Sequence, residues 1–197
     1  SKMRSAMGSG SSGLVGAYAT LAANVFALTA AFGALQRAAQ FEQLRQGLVD
    51  VGIAAGQNLT FVSDQLVAMT GNAISAEGAM RTVSLGMSSG FDSSQLENLT
   101  KVAMGASRAL GRDLADAQDR LIRGVAKLEP EILDELGIMV RLDDAAEDFA
   151  AALGKTASQL TILERRQAFA NATIEQGLKK FGALADSADP NPYNRLS

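Results

Sequence analysis

The chain has 197 residues, of which 47% are apolar and only 5% aromatic, and it contains neither Cys nor His. The absence of these two residue types excludes disulfides, thiol nucleophiles, the usual zinc sites and Ser-His-Asp triads. A formal net charge of −3 with both signs interspersed provides no basic surface, so we expect no sequence-specific nucleic-acid binding and no cofactor.

The N-terminal segment is free of charge over a long run. No charged residue lies between Arg4 and Arg37, and Gly13–Leu35 consists mainly of Gly, Ala and larger apolar residues. About 20 such residues would span a bilayer, but Thr, Asn and many Ala make this segment only weakly hydrophobic. As the apolar core of a signal peptide it would be too long. The segment therefore has three remaining interpretations: a membrane span, a helix buried in a monomeric bundle, and a helix that packs against copies of itself.

A heptad pattern favours self-packing. Apolar residues recur in alternating steps of four and three, which is typical of a coiled-coil interface. The predicted oligomer interface is Leu14, Tyr18, Leu21, Val25, Leu28, Phe32 and Leu35. A second stripe with a shifted register follows a break near residues 36–40 and consists of Phe41, Leu44, Leu48 and Val51. We expect a homo-oligomer, and the mixture of Leu and Phe does not choose between three and six copies.

The rest of the chain predicts an array of short helices. Their caps are expected at Asn58, Ser75, Asp113 and Pro130 and in the pairs Ser94/Glu97, Asp144/Glu147 and Thr161/Glu164. Glycines 71, 90, 111, 137, 154 and 182 are expected to end helices. The segment Ile138–Leu142 looks extended but is too short to found a sheet. The expected fold class is all-α, with a long coiled-coil-like helix over 1–56, a multi-helix domain over 57–184 and a coil tail over 185–197.

The motifs that could carry chemistry are weak. Gly154-Lys155-Thr156 ends like a phosphate-binding loop, but it lacks the first Gly and a preceding strand, so a helix end is expected. Acidic residues around Glu129 and Asp144 could serve a lytic enzyme, yet both clusters lie at helix starts, where acids stabilise the N-terminus. We therefore expect neither a catalytic site nor a metal site.

One block of the chain resembles a known family. Residues 109–184 contain Leu133-Asp-Glu-Leu-Gly-Ile138, Ala152-Leu-Gly-Lys-Thr156 and Gln167-Ala-Phe-Ala-Asn-Ala172, with Leu160-Thr161 before the last. Their order and spacing resemble the tail tape measure proteins of tailed bacteriophages and prophages. The positions that carry this resemblance are Leu136, Gly137, Gly154, Lys155, Thr156, Thr161, Gln167, Phe169 and Asn171.

The resemblance implies a structural role in the virion. Proteins of that family run as multi-copy helical bundles inside the tail tube and set its length. They contact the tail tube, baseplate hub or tail-tip proteins and assembly chaperones, and they leave the tail before the DNA, in some cases to help form a channel through the host envelope. We therefore expect a protein made in the host cytoplasm and located in the virion, with a membrane-active pore former that uses residues 13–35 as the alternative.

Overall fold

The structure, a computed structural model, describes residues 34–54 and 56–186. The chain divides into two compact units, Ser1–Gln43 and Leu44–Ser197. In the first unit the described residues, 34–43, are helical, and all of them are solvent-exposed apart from the half-buried Phe41. The predicted long N-terminal helix lies mainly outside the described residues.

The second unit consists of helices in every regular element that the structure describes. Residues 44–54 form α1, and a single turn of 3-10 helix, Ala157–Gln159, precedes α8. The other helices are α2 Leu59–Met69, α3 Ala76–Ser88, α4 Ser93–Leu110, α5 Leu114–Lys127, α6 Pro130–Asp134, α7 Leu142–Ala152 and α8 Ile162–Asp186. The predicted all-α class is confirmed for this part of the chain.

Side-chain caps fix where several helices begin. Asn58, Ser75 and Asp113 each accept a hydrogen bond from a backbone N–H of the first turn, as their positions in the sequence predict. The cap of α4 was predicted two residues too late. Asp92 and Gln95 form the capping box there, rather than Ser94 and Glu97, although both pairs have the spacing of a capping box.

Three further expectations about helix ends are wrong. The predicted Asp144/Glu147 box does not form, since α7 begins after Arg141 without a side-chain cap and Asp144 lies in its first turn. Lys179 and Lys180, expected at the end of α8, lie in its interior. Gly182 does not end α8 as expected, because the helix continues through Ala185 and Asp186, which were assigned to the coil tail. The rest of that tail lies outside the described residues.

The centre of the unit is the pair α4 and α8, which make the most extensive helix contact among the described elements. Gln95 bonds to Asn171, Gly105 lies against Phe181 and Arg108 donates to the carbonyls of Leu184 and Ala185. The offset in residue number stays near 76 along this contact, so the two helices run parallel.

Glycines allow α4 and α8 to approach closely. A Cβ on Gly105 would lie 2.4 Å from the carbonyl oxygen of Phe181, and a Cβ on Gly177 would lie 2.4 Å from a methyl carbon of Val102. Small residues at such positions let backbones pack directly, which suits a chain poor in aromatic residues. The largest fully buried side chains, Phe91 and Phe169, fill the core around this pair.

Candidate functional site

The structure describes only the last residue of the predicted interface stripe, Leu35. Leu14, Tyr18, Leu21, Val25, Leu28 and Phe32 lie outside the described residues. Leu35 is described, and 66% of it is exposed. Self-association through this stripe stays a prediction.

The second stripe does not have one uniform environment. Leu48 is fully buried within the second unit, Leu44 is half-buried, and Val51 is 47% exposed. Leu48 is therefore a core residue of this unit, and Val51 belongs to its surface. The half-buried Phe41 lies in the first unit.

The first segment of the resembling block is held by α8. Leu136 is completely buried, and Gly137 has a positive φ of 70° that ends the turn after α6. The ammonium of Lys180 donates to the carbonyl of Gly137 at 2.7 Å. One turn earlier on α8, the amide of Gln176 accepts from the N–H of Met139 at 2.6 Å and donates to its carbonyl at 2.8 Å. These two bonds satisfy the backbone N–H and carbonyl of Met139, which belongs to no helix or strand.

The second segment forms the corner between α7 and α8. Gly154, with φ of 66°, ends α7, and Thr156 caps the 3-10 turn together with Gln159. Thr161 and Glu164 form the predicted capping box, because the Glu164 N–H donates to the Thr161 hydroxyl at 3.2 Å and the Thr161 N–H donates to the Glu164 carboxylate at 2.8 Å. The corner is therefore closed by hydrogen bonds and carries no phosphate cradle.

An ion pair reinforces this corner. Lys155 donates to the carboxylate of Glu164, which also accepts from the Thr161 backbone. The Lys155 hydrogen bond, followed by the Thr161 backbone bond, lowers the pKa of Glu164 from 4.5 to about 2. The ionised carboxylate of Glu164 accepts both of these hydrogen bonds and so connects Lys155 to the start of α8.

The third segment faces α4 and the turn before it. Phe169 is completely buried. Asn171 accepts from the Gln95 amide at 2.8 Å, and the amide of Gln167 donates to the carbonyl of Gly90 at 3.4 Å. All three segments thus contact α8 or lie on it, and their polar residues hold neighbouring backbone and side-chain groups in place.

Sequence reasoning missed Gln95, Gln176 and Lys180. Gln95 bonds to a side chain 76 residues away, and Gln176 and Lys180 bond to backbone 37 and 43 residues away. No local pattern signals such contacts, since each depends on the packing of elements that are distant in the chain.

The candidate catalytic acids are not brought into a shared site. Glu129 precedes α6 without a side-chain cap, and Asp144 lies 3.6 Å from Arg141 with 61% of its side chain exposed. Over residues 34–54 and 56–186, no three or more acidic side chains gather as they would around a metal ion. Within the same ranges, no helix combines the length and apolarity needed to cross a bilayer.

Within the second unit, α8 contacts α4, α5 and α7. No protein-family model and no solved structure matches this chain.

Proposed function

We propose that this chain is a segment of a tail tape measure protein, a structural component of a phage or prophage tail. The observation that carries the proposal is the resemblance of residues 109–184, whose three motifs keep a family-like order and spacing. Each motif takes part in a hydrogen bond that involves α8. Lys180 on α8 donates to Gly137, Lys155 donates to Glu164 on α8, and Asn171 on α8 accepts from Gln95 on α4. A change in the order or spacing of these motifs would remove contacts that position α8.

The N-terminal segment would supply the length-setting part. A helix that is surrounded by its own copies inside a tube exposes no face to solvent and therefore needs no charged residues. The run between Arg4 and Arg37 contains none. Leu35, the last residue of the predicted interface, is exposed on the single chain, as an interface residue awaiting a copy would be. In this proposal three or six chains pack along the stripe Leu14–Leu35, and the second unit contacts tail-tip or baseplate proteins.

The length of the tail tests this function. A helix rises about 1.5 Å per residue, so duplicating residues 15–35, three whole heptads, should lengthen the tail by about 32 Å in the phage that encodes the chain. The measurement is tail length by electron microscopy of purified particles. The control inserts an equally long Gly/Ser segment after Asn72, in the exposed turn between α2 and α3 and outside the resembling block, and should leave tail length unchanged. Tails of unaltered length after the duplication would contradict the proposal.

A second function is favoured by the same charge-free run, whose length of more than 20 residues suffices for a membrane span. In that case the chain would be a membrane-active pore former and would need detergent to stay dispersed. Sedimentation in buffer with and without detergent, together with flotation on phosphatidylcholine–phosphatidylglycerol vesicles, separates the two. Discrete oligomers in plain buffer that do not float support the tape measure assignment, and complete flotation supports the pore former.

A further inference from the structure

A groove of about 240 Å³ lies between α7 and α8. Its floor is apolar, because Ala145 and Ala168 are buried there and the half-buried Phe149 lines it. The rim carries one exposed carboxylate from each helix, Asp148 from α7 and Glu175 from α8. Because a cavity of roughly 150 Å³ holds benzene, a groove of this size takes a single apolar side chain rather than a helix.

A second groove, of about 430 Å³, lies on the other side of α8, between α8 and the start of α4. Four side chains with amide groups line it, namely Gln95, Asn98, Gln167 and Asn171. Asn171 and Glu175 line both grooves, so the two meet across α8, and we call them together the α8 track. Because a helix is about 10 Å across, an extended chain passes from one groove to the other in about three residues.

The α8 track is negatively charged. Neither Asp148 nor Glu175 makes an ion pair or a hydrogen bond with any residue that the structure describes. The cations at the two ends of α7, Arg141 and Lys155, pair with other acids, and no Lys or Arg lines either groove. Lys179, one turn beyond Glu175 on α8, is exposed and makes no ion pair with it. A partner with complementary charge therefore carries cations.

The amides of the α8 track are suited to an extended backbone. Elsewhere in the same unit, the amide of Gln176 accepts from the N–H of Met139 and donates to its carbonyl, although Met139 belongs to no helix or strand. In the track, the amide of Asn98 bonds to no described residue, and Asn171 uses only its oxygen, which accepts from Gln95. These amides are available to bond the backbone of a partner in the same way.

We propose that the α8 track binds an extended, basic segment of a partner protein. One small apolar side chain of that segment enters the groove beside Phe149, and lysine or arginine residues on either side of it pair with Asp148 and Glu175. Asn98 and Asn171 bond the backbone that follows. The negative charge repels nucleic acids, and no three acidic side chains gather among the described residues to hold a metal ion. The proposal does not rest on the tape measure assignment, because it uses no property of a tail.

NMR titration of the full chain with the peptide acetyl-Lys-Val-Lys-Ser-Ser-Lys-amide tests the proposal. A peptide with Gln in place of each Lys should bind about tenfold more weakly, because it cannot pair with the carboxylates. Spermidine, which has three charges but no apolar anchor and no peptide backbone, should also bind about tenfold more weakly. No binding of the Lys peptide at about 1 mM, or equally tight binding of either control, would overturn the proposal.

Charge variants locate the binding. Glu175→Gln and Asp148→Asn should each weaken binding of the Lys peptide about fivefold, because each removes one of the two carboxylates. Glu147→Gln is the matched control, since it removes the same charge from an exposed position of α7 that lines neither groove, and it should change binding less than about twofold. Equal effects of Glu147→Gln and Glu175→Gln would overturn the proposal.

A size variant tests the apolar anchor. Ala152→Leu should fill the groove and weaken binding of the Lys peptide about tenfold, whereas Ala151→Leu, at the exposed neighbouring position outside the groove, should leave it unchanged. Unchanged binding to Ala152→Leu would contradict the proposal. Light scattering of the same variants identifies a different occupant, because a lower mass for Ala152→Leu alone would assign the groove to a second copy of the chain and overturn the proposal.

Discussion

Single residues at the α4–α8 contact determine how closely these helices approach. Gly105 has no room for a methyl group, because the nearest atom is a backbone oxygen that cannot rotate away. Gly182, next to Phe181 on α8, is different, since a Cβ there would have its nearest neighbour, the Leu178 Cβ, 4.0 Å away. Replacement by alanine should therefore change the free energy of unfolding in opposite directions at Gly105 and at Gly182.

Gly105→Ala should lower the free energy of unfolding by about 1–3 kcal/mol, because the two helices must move apart. Gly182→Ala should raise it by about 0.5–1 kcal/mol, because alanine loses less backbone entropy in a helix. Urea unfolding followed by circular dichroism at 222 nm measures both. Equal effects of the two substitutions would be inconsistent with the direct backbone contact at Gly105.

The ion pair between Lys155 and Glu164 is sensitive to acid, because it requires the ionised carboxylate of Glu164. Its pKa in the folded state is lowered from 4.5 to about 2, first by the Lys155 hydrogen bond. A lowered pKa means that the stabilisation is fully present above pH 4.5 and is lost as the pH falls through about 2. Carboxyl ¹³C shifts should place the Glu164 midpoint near 2, and Lys155→Met should move it upward. A midpoint that Lys155→Met leaves unchanged would show that the ion pair does not form in solution.

At the scale of the element, the caps decide where helices start. The cap of α4 was predicted at Ser94 with Glu97, and Asp92 with Gln95 has the same spacing two residues earlier. The structure uses the first, in which the Gln95 N–H donates to Asp92 at 2.8 Å and the Asp92 N–H donates to Gln95 at 3.1 Å. Ser94 is thereby left as an exposed residue of the first turn.

Asp92→Ala should reduce the free energy of unfolding by about 1 kcal/mol, because a backbone N–H of the first turn of α4 loses its acceptor. Ser94→Ala should change it by less than about 0.5 kcal/mol, as is usual for an exposed position without a special contact. Thermal and urea unfolding of both variants measure the difference. A larger loss from Ser94→Ala than from Asp92→Ala would show that Ser94, the cap predicted from the sequence, caps α4 in solution.

At the scale of the whole molecule, the two units differ in how far their described side chains are buried. The second unit, Leu44–Ser197, contains its own core around Phe91 and Phe169. In the first, the described residues are almost all exposed. Assembly, if it follows the charge-free run, belongs to the first unit.

The fragment 44–197 should therefore fold alone as a monomer, with one cooperative unfolding transition. The full chain should form discrete oligomers, and Leu28→Asp should disrupt them by placing a charge in the predicted stripe. Light scattering after size exclusion measures the mass of each, and Ala27→Asp, off the stripe, is the matched control. Oligomers formed by the fragment would move the interface into the second unit.

Local signals in the sequence were sufficient for the all-α class and for most helix ends, because caps such as Ser75, Asp113 and Thr161 and glycines such as Gly137 act on their own turn. Only the tertiary structure decided the parallel pairing of α4 and α8, the hydrogen bonds of Gln176 and Lys180 to the segment 137–139, and the buried hydrogen bonds of Gln118 to Thr82 and Thr100. These features depend on contacts between residues as far as 77 positions apart, whose distances are set by packing and leave no periodicity in the chain. The cap of α4 is an intermediate case, because Asp92 with Gln95 and Ser94 with Glu97 have the same spacing and the structure uses the first pair.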